Sequence, residues 1–307
     1  KIFVELLREG WSIKDASQGA SFSYATGRRI AQRIQREAPT QASTTPTQIP
    51  GPLRISELGR HAKESLDDFA KFRSRYFGRR SSPWQENAAH IVAAKLVTPI
   101  KEYGVVNCPP GSGKSTLFTH DIPAWLTARS RSMRGFIGSS TQTTANSYTG
   151  RLRTTLESPI PVQAKSEELA LGLARDADSA MPLEFGRFKP LYDPDRSNPP
   201  WSKSQFTVEQ YGQTSVSEKE ATWTAFGEDT KFLGWRVNFI VWDDVVTGDT
   251  KTEDAIKAQR MWWINEAETR LEPGGLLILQ GQRLYAEDLY RFCLDMKAPM
   301  DPDLEDP

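Results

Sequence analysis

The chain has 307 residues, more than a single hydrophobic core usually serves, so one large domain with a small appendage is expected. Its 39 basic residues are balanced by 39 acidic ones, which argues against a protein that coats nucleic acid with its whole surface. No apolar run approaches the length of a membrane span and no basic-then-apolar leader opens the sequence, so a cytoplasmic protein without a membrane partner is expected. Lys1 stands where an initiator Met would, which points to a fragment or a processed product. Cys108 and Cys293 are the two cysteines, and neither has a cysteine or histidine at ligand spacing, so neither a disulfide framework nor a structural zinc site is expected.

In chain order, residues 1–38 read as a small all-α domain. Ile2, Phe3, Leu6 and Leu7 share a face, Gly10 stops the first helix, a second starts near Ser12, and a third runs over about 24–36. Arg28, Arg29, Arg33 and Arg36 line the third helix, as in a helix-turn-helix reader of DNA or as the solvated face of a three-helix cap. Residues 39–53 are rich in Pro and Thr and offer little to bury, which predicts a flexible linker. Residues 54–82 form a basic lead-in, with a helical stretch over about 56–76 carrying Phe69, Phe72 and Tyr76, then Phe77, expected to pack on the main domain. From 83 to 292, helix and strand patterns alternate, as a parallel sheet with flanking crossover helices requires. Strands are predicted over 104–107, 135–139, 221–226, 237–242 and 276–280, and the proline-rich residues 181–204 read as an irregular excursion. Residues 293–307 form an acidic tail.

Three segments carry chemistry. Residues 104–116, Gly-Val-Val-Asn-Cys-Pro-Pro-Gly-Ser-Gly-Lys-Ser-Thr, run from an apolar strand through a glycine-rich turn into a helix, the context a Walker A phosphate-binding loop demands. Gly111 and Gly113 would let backbone N–H groups point at phosphates, with Pro109, Pro110, Ser112 and Thr116 completing an ATP-binding turn. Lys114 would reach the terminal phosphates and Ser115 would ligate a Mg2+. Cys108 stands where the pattern usually has glycine, and a solvated turn with a chance Gly-Lys-Ser is the alternative. In residues 238–244 four apolar residues end in Asp243 and Asp244, a Walker B pattern in which Asp243 would hold the Mg2+ and Asp244 would act on the attacking water. Residues 274–283 are a further buried strand, whose end should lie beside Asp243; there Gln282 and Arg283 would couple the γ-phosphate to a loop movement, or simply form a polar loop. Upstream, Gln85 would pair with adenine and Trp84 would pack beside the ring, or the two would be a helix start with Trp84 in the core.

The order Pro83-Trp84-Gln85, the Lys114 loop, the Asp243-Asp244 strand, Glu-Asp-Ala at 253–255, Thr-Arg-Leu-Glu-Pro-Gly-Gly at 269–275 and Gln-Arg-Leu-Tyr-Ala-Glu-Asp-Leu at 282–289 resembles the large terminase subunit of tailed bacteriophages. The resemblance covers about 83–289, with little to match between 158 and 222. It implies an ASCE-type P-loop NTPase fold and a viral DNA-packaging motor in the cytoplasm of the infected host, using ATP and Mg2+. Its partners would be double-stranded DNA, a portal protein, a small terminase subunit and further copies in a ring. Lys114 and Asp244 take the catalytic roles, Asp243 and Ser115 the metal, and Gln282 the coupling. Terminases usually continue into a nuclease domain, whereas eighteen residues follow Leu289, so ATP hydrolysis without DNA cleavage is expected of this chain. Some members carry an arginine inside the loop; residues 108–113 have none, so a neighbouring subunit would supply it, from among Arg129, Arg131, Arg134, Arg151 and Arg153. The rival readings are a helicase, which needs a second motor domain, and a nucleotide-binding DNA adaptor without turnover.

Overall fold

The computed structural model describes residues 60–158, 185–190, 192, 198–210, 220–228, 230 and 235–296. These belong to the second of two units into which the chain divides, Gly51–Pro307. The expectations for 1–38, the linker 39–53, the start of the lead-in and most of the acidic tail lie outside the described residues.

Among the described residues, six strands form one sheet: β1 (Glu102–Asn107), β2 (Gly135–Ser139), β3 (Gln205–Phe206), β4 (Trp223–Gly227), β5 (Val237–Asp243) and β6 (Leu271–Gly281). Their order is β1-β6-β5-β2-β4-β3, all pairs parallel except the short antiparallel β3–β4 pair. The α/β reading with a mostly parallel sheet and flanking helices therefore holds. The helices among the described residues are α1 (Arg60–Asp67), α2 (Phe69–Phe77), α3 (Pro83–Lys95), α4 (Lys114–Thr116, Leu117–Asp121 and Ile122–Arg129), α5 (Gln142–Glu157), α6 (Glu253–Trp262) and α7 (Leu289–Asp295). Helix α4 runs Lys114–Thr116, widens into a π turn over Leu117–Asp121 and continues as Ile122–Arg129, while α6 ends in a π turn over Trp263–Ala267.

Strand side chains alternate between faces, and β5 and β6 show this directly. Phe239, Val241, Leu276 and Ile278 enter the core shared with α1, α2, α4 and α5; Ile240, Trp242, Leu277 and Leu279 enter a second core with Trp263, Leu289 and Tyr290. Asp243 and Gln280 continue the first series, so both face the side on which α4 begins. The sheet is thus covered on both faces, as continuously apolar strands require.

The lead-in differs in detail from a single helical stretch. Asp68 interrupts it: its carboxylate accepts from the Lys71 N–H at 3.0 Å, ending α1 and capping α2. The packing expectation holds, since the Phe69 ring lies 5.3 Å from that of Trp125, whose indole N–H donates to the Ser65 carbonyl at 3.1 Å. Strand β6 starts earlier than the apolar run indicates, because Gly274 at φ 77° lets the chain bulge and rejoin β5 after the Val237–Leu271 pair. The excursion near 181–204 is irregular where it is described, yet Phe185 and Phe188 are buried, with the Phe185 ring centre 5.4 Å from that of Tyr76.

Candidate functional site

The C-terminal ends of the parallel strands meet along one edge. Asn107 is in register with Gly281, Gln280 with Asp243, and Asp243 with Ser139. The β1–β6 ladder continues one residue further, through the Cys108 N–H to the Gly281 carbonyl at 3.1 Å, so the half-buried Cys108 serves as the hinge of the turn. Beyond it, Pro109, Pro110, Gly111 and Gly113 are exposed and Ser112 is half-buried. Gly111 and Gly113 sit at φ 77° and 80°, left-handed values that glycine adopts at little cost. Turns of this handedness make a concave nest of N–H groups suited to an anion. Helix α4 starts directly after it, with the Leu117 N–H on the Gly113 carbonyl at 2.9 Å and Thr116 half-buried in its first turn.

The structure brings Lys114, Ser115, Asp243 and Asp244 together. Lys114 Nζ donates to Asp244 Oδ2 at 3.1 Å and Ser115 Oγ to Asp243 Oδ1 at 3.2 Å. Asp243 is fully buried; burial first, and then the neighbouring Asp244 carboxylate, push it up to about 6. Asp244 is half-exposed and has φ 47°, a left-handed value uncommon outside glycine, held by its N–H to the Gln280 carbonyl at 3.0 Å.

Two contributors carry no motif. Gln280, fully buried, donates from Nε2 to Asp243 Oδ1 at 2.8 Å. Its signal in the sequence is a lone amide ending an apolar strand, legible only once the register with Asp243 is known. Tyr148 of α5 lies close to Asp243 and Ser115, and burial together with the carboxylates raises its phenol, so it stays protonated. Nothing in the sequence marks it.

Among the other expected residues, Gln85 reaches the turn, its Nε2 donating to the Ser112 carbonyl at 3.2 Å. Gln282 and Arg283 are exposed beyond the end of β6; Arg283 donates to the Tyr285 and Ala286 carbonyls at 3.3 and 2.6 Å and pairs with Asp288 at 3.4 Å, which shapes the turn before α7. Trp84 is half-buried against the core, and Gln85, whose Oε1 accepts from the Ser82 N–H at 3.2 Å, closes the start of α3. Among the arginines, Arg131 is enclosed, donating to the Glu209 carbonyl at 2.9 Å with its guanidinium 4.2 Å from the Phe188 ring centre, so it does not reach out to a neighbour. Arg129 lies over Trp125 and Arg153 donates to the Trp201 carbonyl, whereas Arg151 is exposed on α5.

The residues fit a nucleotide-borne Mg2+. Asp243 Oδ2 and Gln280 Oε1 are buried without a partner beside the Ser115 hydroxyl, a hard oxygen set. Among the described residues no group of three or more His, Cys, Asp or Glu side chains forms a metal cage, and a Mg2+ carried by phosphates needs only one or two protein ligands. No described helix is long and apolar enough to cross a membrane. No known family's sequence profile matches the chain, and no curated protein matches it.

Proposed function

We propose that the chain is the ATPase portion of a DNA-packaging motor similar to the large terminase subunit of tailed bacteriophages. The observation that carries the ATPase reading is the meeting of Lys114 and Ser115 with Asp244 and Asp243 at 3.1 and 3.2 Å, on the edge where β1 and β5 end. A sheet in which β6 separates these two strands is compatible with an ASCE-type P-loop NTPase. In this reading the turn 108–113 cradles the phosphates, and Lys114 leaves Asp244 to neutralise the terminal ones. Ser115 and Asp243 would hold the Mg2+ of Mg-ATP, which would supply charge neutralisation on the phosphates. Asp244 orients water and accepts its proton.

The motor reading rests on the order of segments from Pro83 to Leu289 and implies double-stranded DNA, a portal, a small subunit and a ring of copies as partners. Arg129, Arg134, Arg151 and Arg153 remain the candidates for an arginine donated across the ring. Phosphate release by the purified chain tests the enzyme. Lys114→Ala should abolish it with the fold intact, and full activity in that variant would overturn the site. Stimulation by double-stranded DNA and by portal-bearing capsids tests the motor, and turnover that neither alters would favour a different ATPase.

A further inference from the structure

Gln85 links the glycine-rich turn to a buried ion-pair network. Asp121, fully buried in the π turn of α4, accepts from Arg73 Nε at 2.8 Å, from Arg79 and from His120 Nδ1 at 2.7 Å. Burial holds the His120 imidazole neutral, so the two arginines balance the carboxylate. Arg73 is itself buried, and its planar guanidinium carries the order onward: Nη1 donates to Ser81 Oγ at 3.1 Å and to Gln85 Oε1 at 2.8 Å. The amide plane of Gln85 is thereby fixed, and its Nε2 donates to the Ser112 carbonyl at 3.2 Å. A Cβ on Gly113 would lie 3.2 Å from the same nitrogen, so the amide rests flush against the two residues that precede Lys114.

This arrangement uses up the amide oxygen. Oε1 has two acceptor positions, taken by Arg73 and by the Ser82 N–H at 3.2 Å, while one of the two Nε2 hydrogens goes to Ser112. Reading adenine needs a free oxygen for N6 and a free N–H for N7 on one amide edge. To supply that oxygen Gln85 would have to abandon the buried Arg73 or the Ser82 N–H.

We propose that Gln85 is a positioning residue for the turn, setting affinity for the polyphosphate end of any nucleoside triphosphate and leaving the base unread. The proposal rests on the nucleotide-binding reading above. Arg73 and Asp121 belong to the same brace, which ties α2 and α4 to the turn.

The test compares ATP, GTP and inorganic tripolyphosphate on the wild type, on Gln85→Glu, which keeps the acceptors for Arg73 and Ser82 but loses the donor to Ser112, and on Gln85→Ala. KM for ATP and GTP and the inhibition constant of Mg-tripolyphosphate should rise together by about tenfold, the scale of one hydrogen bond lost near a charge, with kcat changed less than about twofold. The ratio of the GTP and ATP values should match that of the wild type. An effect confined to ATP would make Gln85 an adenine reader and overturn the proposal, as would three unchanged constants in well-folded variants. A wild type that binds none of the three ligands would instead refute the nucleotide reading itself.

Discussion

Lys114 Nζ lies 3.1 Å from Asp244 Oδ2, joining two segments 130 positions apart across the end of β6. The ammonium that would meet a terminal phosphate is thus already paired with the carboxylate that would act on water, and a nucleotide must separate them. Asp244 is 47% exposed at its side chain, so the pair is worth little, about 1 kcal/mol or less. Asp244→Asn should therefore bind ATP about threefold more tightly, while turnover falls at least about a hundredfold with the loss of the base. Asparagine tolerates the left-handed backbone at φ 47°, so the fold should survive. Titration with a fluorescent ATP analogue and a phosphate-release assay read the two effects separately, and a variant with wild-type turnover would remove Asp244 from catalysis.

The Asp243 carboxyl supplies a pH dependence. Burial and Asp244 raise it to about 6 from 3.8, so between these values the folded chain holds a proton that the unfolded chain releases. Stability without nucleotide should fall as pH rises through this window, by up to about 3 kcal/mol for roughly two units of displacement. Asp243→Asn should remove most of that dependence in urea unfolding, being more stable than wild type at pH 8 and little different at pH 4. Hydrolysis should have the opposite slope, failing as pH drops below about 6, because a protonated Asp243 no longer offers its charge to Mg2+. Identical unfolding profiles for the two proteins from pH 4 to 8 would contradict this assignment.

The five longer strands and the meeting of Lys114, Ser115, Asp243 and Asp244 were legible in the sequence because each depends on local pattern: apolar runs ending in a glycine-rich turn or in two carboxylates. What depends on register or on tertiary partners was not. Gln280 rather than Gln282 reaches Asp243, because β6 pairs with β5 so that residue 280 stands opposite 243 and both face α4. Tyr148 comes from a helix whose rotation is set by its packing on β2 and β4. The part of Gln85 played toward the turn depends on Arg73 of the preceding helix and on Asp121, neither of which carries a motif. Strand β3 is two residues long and held by its neighbour, too short for any periodicity to show.

Gly281 has no room for a side chain. A Cβ there would lie 1.7 Å from the Tyr290 hydroxyl oxygen and 2.9 Å from Asp244 Oδ1, while that hydroxyl donates to the Gln280 carbonyl at 3.0 Å. Gly281→Ala should cost about 2 kcal/mol or more and displace Asp244, lowering turnover along with stability. Tyr290→Phe alone loses one hydrogen bond, about 1 kcal/mol. In the double variant the missing hydroxyl relieves part of the overlap, so the combined loss should fall short of the sum by about 1 kcal/mol. Strict additivity in denaturant unfolding would mean that β6 moves away and Tyr290 does not resist.

Glycines at two sites in the sheet and its flanking helix should respond in opposite directions. On β2, Gly138 pairs with Trp242, and a Cβ there would lie 2.0 Å from the indole; Gly135 pairs with Trp223, which a Cβ would approach to 2.3 Å. Each glycine is a slot for a fully buried tryptophan on the neighbouring strand, and the two slots open on opposite faces. Gly138→Ala must therefore push Trp242 into the second core, at a cost of about 3 kcal/mol, and should shift the Asp243 beside it. Gly150 sits inside α5, where a Cβ would meet only the flexible Lys203 side chain at 3.4 Å. Gly150→Ala should stabilise by about 0.5–1 kcal/mol through the better helix propensity of alanine. Midpoints of urea unfolding for the two variants should move in opposite directions from wild type, and a Gly138→Ala protein as stable as the wild type would refute the slot.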